Sequence, residues 1–158
     1  FQDLNEFVFD SRAQIYQFVG DEVVLTWPGK EPQAERRSVG LFFAFKERLA
    51  EKRPWYESTF GVAPEFRGGV EEGLVTAAEV GDVKREIAFH GDAHNTAARL
   101  LELCRSYDSP VLVSGRVIEV IAREKDWQTR LRGEVTLRGK KESVAVYGVE
   151  EVAPGGLP

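Results

Sequence analysis

Two runs of β-forming residues meet at a turn dipeptide early in the chain. Ile15, Tyr16, Phe18 and Val19, then Val23, Val24, Leu25 and Trp27, flank Gly20-Asp21. Glycine paired with aspartate closes two-residue hairpins, so an antiparallel β-hairpin is expected here. Pro28-Gly29-Lys30 breaks its second strand. Upstream, Leu4, Phe7 and Val8 have helical spacing, with Asp3 as the expected N-cap. Downstream, Ala34 to Lys52 carries Val39, Phe42, Phe43 and Leu49 on one side and charges on the other. That pattern predicts an amphipathic helix, continued beyond Pro54 through Tyr56.

The rest of the chain alternates. Phe66 to Val70, Leu74 to Ala78 and Val83 to Ala88 read as short strands separated by glycine or charged turns. Asp92 to Tyr107 reads as a helix with Ala97, Ala98, Leu100, Leu101 and Cys104 facing inward. Pro110 to Ser114 is a strand and Arg116 to Arg123 a short helix. Gln128 to Leu137 and Glu142 to Val149 form a closing hairpin, and Ala153 to Pro158 a frayed tail. The order helix, hairpin, helix, strands, helix, hairpin predicts an α+β sandwich of the ferredoxin-like kind. One junction stands out. The first helix meets the Ile15 strand across Ser11-Arg12-Ala13-Gln14, with no glycine or proline, and such reversals usually take a longer connection. Residues are therefore expected to be missing between Ala13 and Gln14.

Composition narrows the function classes. The 158 residues carry 21 basic and 26 acidic side chains, a formal charge of −5, which disfavours a dedicated nucleic-acid binder. At 42% hydrophobic and 30% charged, the chain is an ordinary globular one, long enough for a single domain with a sizeable core. The longest apolar run, Val39 to Phe45, is too short to span a bilayer. One cysteine excludes an internal disulfide and fits a reducing compartment, so a cytoplasmic location is expected. Two histidines and one cysteine leave no room for a structural zinc site. The chain contains no methionine, so Phe1 is read as lying inside a longer translated protein.

Three places hold groups suited to chemistry. Asp21 sits at the hairpin tip beside Glu22, where a rigid, exposed carboxylate suits a hard cation such as Mg²⁺; equally, Gly20-Asp21 simply makes the turn. In Gly91-Asp92-Ala93-His94-Asn95-Thr96-Ala97-Ala98-Arg99, Asn95 and Arg99 lie one helical turn apart on one face. An amide beside a permanent cation suits a phosphate, or else Asn95 caps a turn and Arg99 is a solvated charge. Leu137-Arg138-Gly139-Lys140-Lys141 is a basic loop, fit for a polyphosphate or for a soluble hairpin tip. His90 and His94 are read as loop hydrogen-bonders rather than bases, and Cys104 as core. No Gly-x-x-x-x-Gly-Lys-Ser/Thr is present, which excludes a P-loop nucleotide hydrolase.

Taken in order, these pieces resemble the catalytic domain of class III adenylate and guanylate cyclases. The resemblance runs through Ile15-Tyr16-Gln17-Phe18-Val19-Gly20-Asp21-Glu22, Phe66-Arg67-Gly68-Gly69-Val70 with Gly73, Gly81, the Gly91 to Arg99 stretch, and Leu137-Arg138-Gly139-Lys140. The hairpin also resembles that of diguanylate cyclases, but their doubled glycine and their lack of an Asn-Thr-Ala-Ala-Arg helix set them apart. The resemblance implies a ferredoxin-like nucleotide cyclase fold, a central mostly antiparallel sheet flanked by helices, over residues 1–152. It implies two divalent metals, Mg²⁺ or Mn²⁺, held by two aspartates: Asp21 matches the second, and the first is expected on a strand ahead of Phe1. Asn95 matches the residue that positions the ribose, and Arg99 the one that stabilises charge on the α-phosphate. Arg138 stands where the family grips the terminal phosphates, with Lys140 close by. The implied partners are a nucleoside triphosphate and a second copy of the chain, in a homodimer with its sites at the interface. An upstream sensor or membrane region is a further implication.

The base-reading positions depart from the family. Gln17 stands where adenylate cyclases carry lysine, and Ala88 where they carry aspartate or threonine. Glutamine pairs with a base edge; alanine does not. ATP is the expected substrate, with a guanylate or pyrimidine cyclase, or a non-catalytic cyclase-like regulatory module, as alternatives.

Overall fold

A computed structural model describes residues 2–27, 31–80, 86–136 and 143–152, with the backbone alone at residues 77, 79, 80 and 86–90. The chain divides into two compact units, Phe1–Phe66 and Arg67–Pro158.

The first unit opens with a 3-10 turn, Gln2–Leu4, and helix α1, Asn5–Asp10. Strands β1, Gln14–Val19, and β2, Glu22–Thr26, pair antiparallel around Gly20-Asp21, with Val19 opposite Glu22. Gly20 takes a φ of 61°, the left-handed backbone the turn requires. Helix α2, Ala34–Glu51, places Leu41, Phe45 and Leu49 one turn apart, and these pack with Leu4 and Val8 in one core. Phe7, Val23, Leu25, Trp27, Tyr56 and Phe66 close around that core. Helix α3, Arg53–Phe60, follows after Lys52 with a proline in its first turn, and Gly61 ends it at φ 77°. The expected helix through Tyr56 is thus two helices.

One expectation changes here. Asp3 does not cap α1; Leu4 holds that position, without a side-chain cap. The Asp3 carboxylate instead accepts a bond from Tyr56 Oη at 2.7 Å and pairs with Lys52, reaching across 49 residues to the joint of α2 and α3. The connection from α1 to β1 has its own backbone bonds. Arg12 takes a φ of 59°, and the amides of Ser11, Arg12 and Ala13 return to the carbonyls of Phe7, Phe9 and Val8. A single left-handed residue turns the helix into the strand.

The second unit is built on a four-stranded mixed sheet. Its strands are β3, Gly68–Val70, β6, Val111–Ser114, β7, Trp127–Thr136, and β8, Ser143–Glu151. Their order is β3-β6-β8-β7; β3 runs parallel to β6 and the other pairs are antiparallel. β4, Thr76–Val80, and β5, Glu86–His90, form a separate antiparallel pair. Helix α4, Asp92–Leu103, packs on β3 and β6, and α5, Gly115–Ile121, follows β6 directly. All four residues of β6 are buried, as a central strand between helix and sheet neighbours demands. Leu100, Cys104, Leu112 and Val146 form the core beneath α4. Ala98, expected inward, is exposed, and Thr96 is buried in its stead, donating its hydroxyl to the Asp92 carbonyl at 2.7 Å. The Pro28-Gly29-Lys30 break, Gly81, the basic loop 137–141 and the tail from residue 153 lie outside the described residues.

Candidate functional site

Gln17 and Asp21 share the first hairpin. Ile15 faces Leu25 while Gln17 faces Val24, so Tyr16 is an extra residue in β1 and forms a β-bulge beside Gln17. Gln17 is half-buried, and Asp21 stands exposed at the tip. A two-residue turn fixes the backbone of Asp21, and its carboxylate is free of the core.

Asn95 and Arg99 share the exposed face of α4, one turn apart. Arg99 Nη1 donates to Glu102 Oε2 at 2.5 Å, with both side chains more than half exposed. Sequence reasoning missed Glu102, though the three-residue spacing on a helix was the signal for it. Opposite this face, Ala97, Leu100, Leu101 and Cys104 turn toward β3. A Cβ at Gly69 would lie 2.2 Å from the Ala97 carbonyl oxygen and 2.6 Å from the Leu101 nitrogen. The helix therefore rests backbone to backbone on the strand, a contact only glycine permits. Cys104 Sγ donates to the Gly68 carbonyl at 3.2 Å. Burial pushes its thiol up to about 11, in keeping with its place in the core.

Beyond β3 and β6, Glu71 accepts a bond from Ser114 Oγ at 2.7 Å, and desolvation raises its carboxyl above the usual range. Ala88 pairs with Ala78 in the β4–β5 ladder. Arg138 and Lys140 fall outside the described residues. The structure thus groups Gln17 with Asp21 in the first unit, and Asn95 with Arg99 in the second.

For a divalent cation, Asp21 offers one exposed hard oxygen donor. Among the described residues no three His, Cys, Asp or Glu side chains cluster as a metal cage. One carboxylate, with phosphates completing the shell, is how Mg²⁺ commonly binds beside nucleotides, so Asp21 fits such an ion.

The family model for the adenylate and guanylate cyclase catalytic domain matches residues 31–151, a span that crosses both units. This chain belongs to that family. It is 30% identical over 137 residues to adenylate cyclase 2 of Rhizobium meliloti, covering 87% of this chain and 38% of that one. The chain thus spans well under half the length of that relative. Among solved structures, the adenylyl cyclase CyaB from P. aeruginosa superposes with a TM-score of 0.82 at 20% identity, over 96% of this chain and 78% of that one. The guanylyl cyclase Cya2 gives 0.74 at 20% identity, over 99% and 80%. At these identities the structural likeness establishes the fold, an α+β nucleotide cyclase fold as expected. No described helix is long and apolar enough to cross a membrane.

Proposed function

We propose that this chain is the catalytic domain of a nucleotide cyclase that converts ATP to 3′,5′-cyclic AMP and pyrophosphate. The observation that carries the reading is the Asn95–Arg99 pair: an amide and a guanidinium presented to solvent from one face of a family helix. Residues 1–152 are taken as one domain, of which the family match covers residues 31–151 across both units.

In the proposed reaction the ribose 3′-hydroxyl attacks the α-phosphate and pyrophosphate leaves in line. Asn95 orients the ribose, so that the hydroxyl meets phosphorus at the start of its path. Arg99 releases Glu102 and donates to the α-phosphate oxygens where charge accumulates. Arg138, with Lys140, holds the terminal phosphates. Asp21 would hold Mg²⁺ or Mn²⁺, which when bound neutralises phosphate charge and makes the hydroxyl more acidic. Gln17 meets the base edge with a donor and an acceptor, whereas alanine at position 88 offers no side-chain partner. ATP is favoured by the adenylate cyclase relative, with weak discrimination against GTP.

The working unit in this reading is a homodimer, each site taking Asp21 from one copy and Asn95, Arg99 and Arg138 from the other. The test is complementation within the intact protein. Asp21→Ala and Arg99→Ala should each abolish most turnover, and mixing the two should restore about a quarter of it, as statistical pairing leaves one good site in half the dimers. Heterodimers that form yet stay inactive would place each site within a single chain. Full activity of both single variants would refute the roles given to Asp21 and Arg99, and absence of turnover in the unsubstituted intact protein would favour the non-catalytic module.

A further inference from the structure

Helix α4 has two faces with different tasks. Asn95 and Arg99 look to solvent, while Ala97, Leu100, Leu101 and Cys104, at spacings of three and four, meet β3 and the core. A side chain on Gly69 would overlap the Ala97 carbonyl oxygen and the Leu101 nitrogen, both backbone atoms that no rotamer change can move. The Leu100 Cβ would lie only 3.1 Å away. One turn further along, Cys104 Sγ bonds the carbonyl of the adjacent Gly68 and that of Leu100 at 3.4 Å.

We propose that Gly69 is a positioning residue for the cyclase reaction: its bare Cα seats α4 on β3 and so sets where Asn95 and Arg99 stand. This rests on the function proposed above. Because the contact is between backbones, a methyl group at position 69 forces strand and helix apart by roughly 1 Å. The helix moves as a body, carrying both functional groups with it. A displacement of ~1 Å at groups that meet the reacting phosphate costs up to ~10²-fold in rate.

The experiment compares wild type, Gly69→Ala, Arg99→Ala and the double variant of the intact protein. Turnover of ATP is measured per folded protein, at a temperature where circular dichroism shows each to be folded. Gly69→Ala is expected to lower kcat by ~10- to 100-fold while KM stays within about threefold. The double variant should be faster than the product of the two single losses, because in Arg99→Ala the guanidinium that Gly69→Ala displaces is already gone and only Asn95 is left to misplace. Losses that multiply, or an unchanged kcat per folded Gly69→Ala molecule, would show that Gly69 serves stability alone. If Gly69→Ala does not fold, Cys104→Ala takes its place. That variant breaks the bond to Gly68 and should show the same shortfall when combined with Arg99→Ala; independent losses there overturn the proposal. An Arg99→Ala protein with wild-type turnover would sink the functional reading itself, and this positioning role with it.

Discussion

In the proposed reaction Glu102 and the phosphate compete for the Arg99 guanidinium, and this competition has a measurable size. The pair spans 2.5 Å, and its side chains are 51% and 64% exposed. An exposed ion pair of this kind on one helix is worth about 0.3–0.5 kcal/mol, most of its Coulomb energy being lost to water and side-chain entropy. Freeing the guanidinium by Glu102→Gln should therefore raise kcat/KM by about twofold, since ~1.4 kcal/mol corresponds to a factor of ten. Removing the guanidinium is a different matter. In the proposed reaction Arg99→Ala deletes a donor aimed at developing charge, which should cost ~3–4 kcal/mol of transition-state stabilisation and a ~10²- to 10³-fold fall in kcat. The same change should leave stability within about 0.5 kcal/mol, because the side chain is a surface group outside the core. Steady-state cyclic nucleotide formation and urea unfolding of the same preparations check both halves. A Glu102→Gln variant as slow as Arg99→Ala would refute the competition and make Glu102 a support that holds Arg99 in place. A parallel loss of stability and rate in Arg99→Ala would refute the separation of face and core.

Two further expectations concern the framework. Cys104 is wholly buried with its thiol raised to about 11, so at pH 8 the native protein should resist iodoacetamide and yield one reactive thiol per chain only in urea. Rapid labelling of the native state would show that the joint of α4 and β3 opens. Asp3 is lowered first by its bond from Lys52 and then by that from Tyr56. A carboxyl depressed on folding stabilises above its unfolded pKa and loses that contribution as pH falls through the folded one. Asp3→Asn should thus cost about 1 kcal/mol at pH 7, discounted for the exposure of Lys52, with the difference shrinking below about pH 4. A difference that persists undiminished into acid would assign the effect to packing.

How much of this was legible beforehand varies with the distance over which each feature is decided. The β1–β2 hairpin was, because Gly20-Asp21 determines its own turn and the flanking β-formers its pairing. So was α2, whose apolar spacing marks the buried face before any partner is known. Asp3 misled because a carboxylate at a helix start is normally a cap, whereas here its partners lie near residues 52–56, far beyond local chemistry. Ala98 and Thr96 exchanged faces because alanine is indifferent to burial, while threonine satisfies its hydroxyl within the helix. Within the site, Asn95 and Arg99 were placed on one face from spacing alone. Gly69 appeared only as part of a glycine pair; its close contact with α4 exists only once the helix lies across the strand.

The central claim is catalysis, and product analysis addresses it most directly. The intact protein, incubated with ATP, GTP, CTP or UTP and Mg²⁺ or Mn²⁺, should form 3′,5′-cyclic AMP and pyrophosphate in equal amounts. A smaller yield of cyclic GMP is expected, because Gln17 pairs with either purine and alanine at position 88 rejects neither. Loss of both products in Arg99→Ala would tie the activity to the face of α4. A folded, dimeric protein that forms no cyclic nucleotide from any of the four triphosphates would contradict the account.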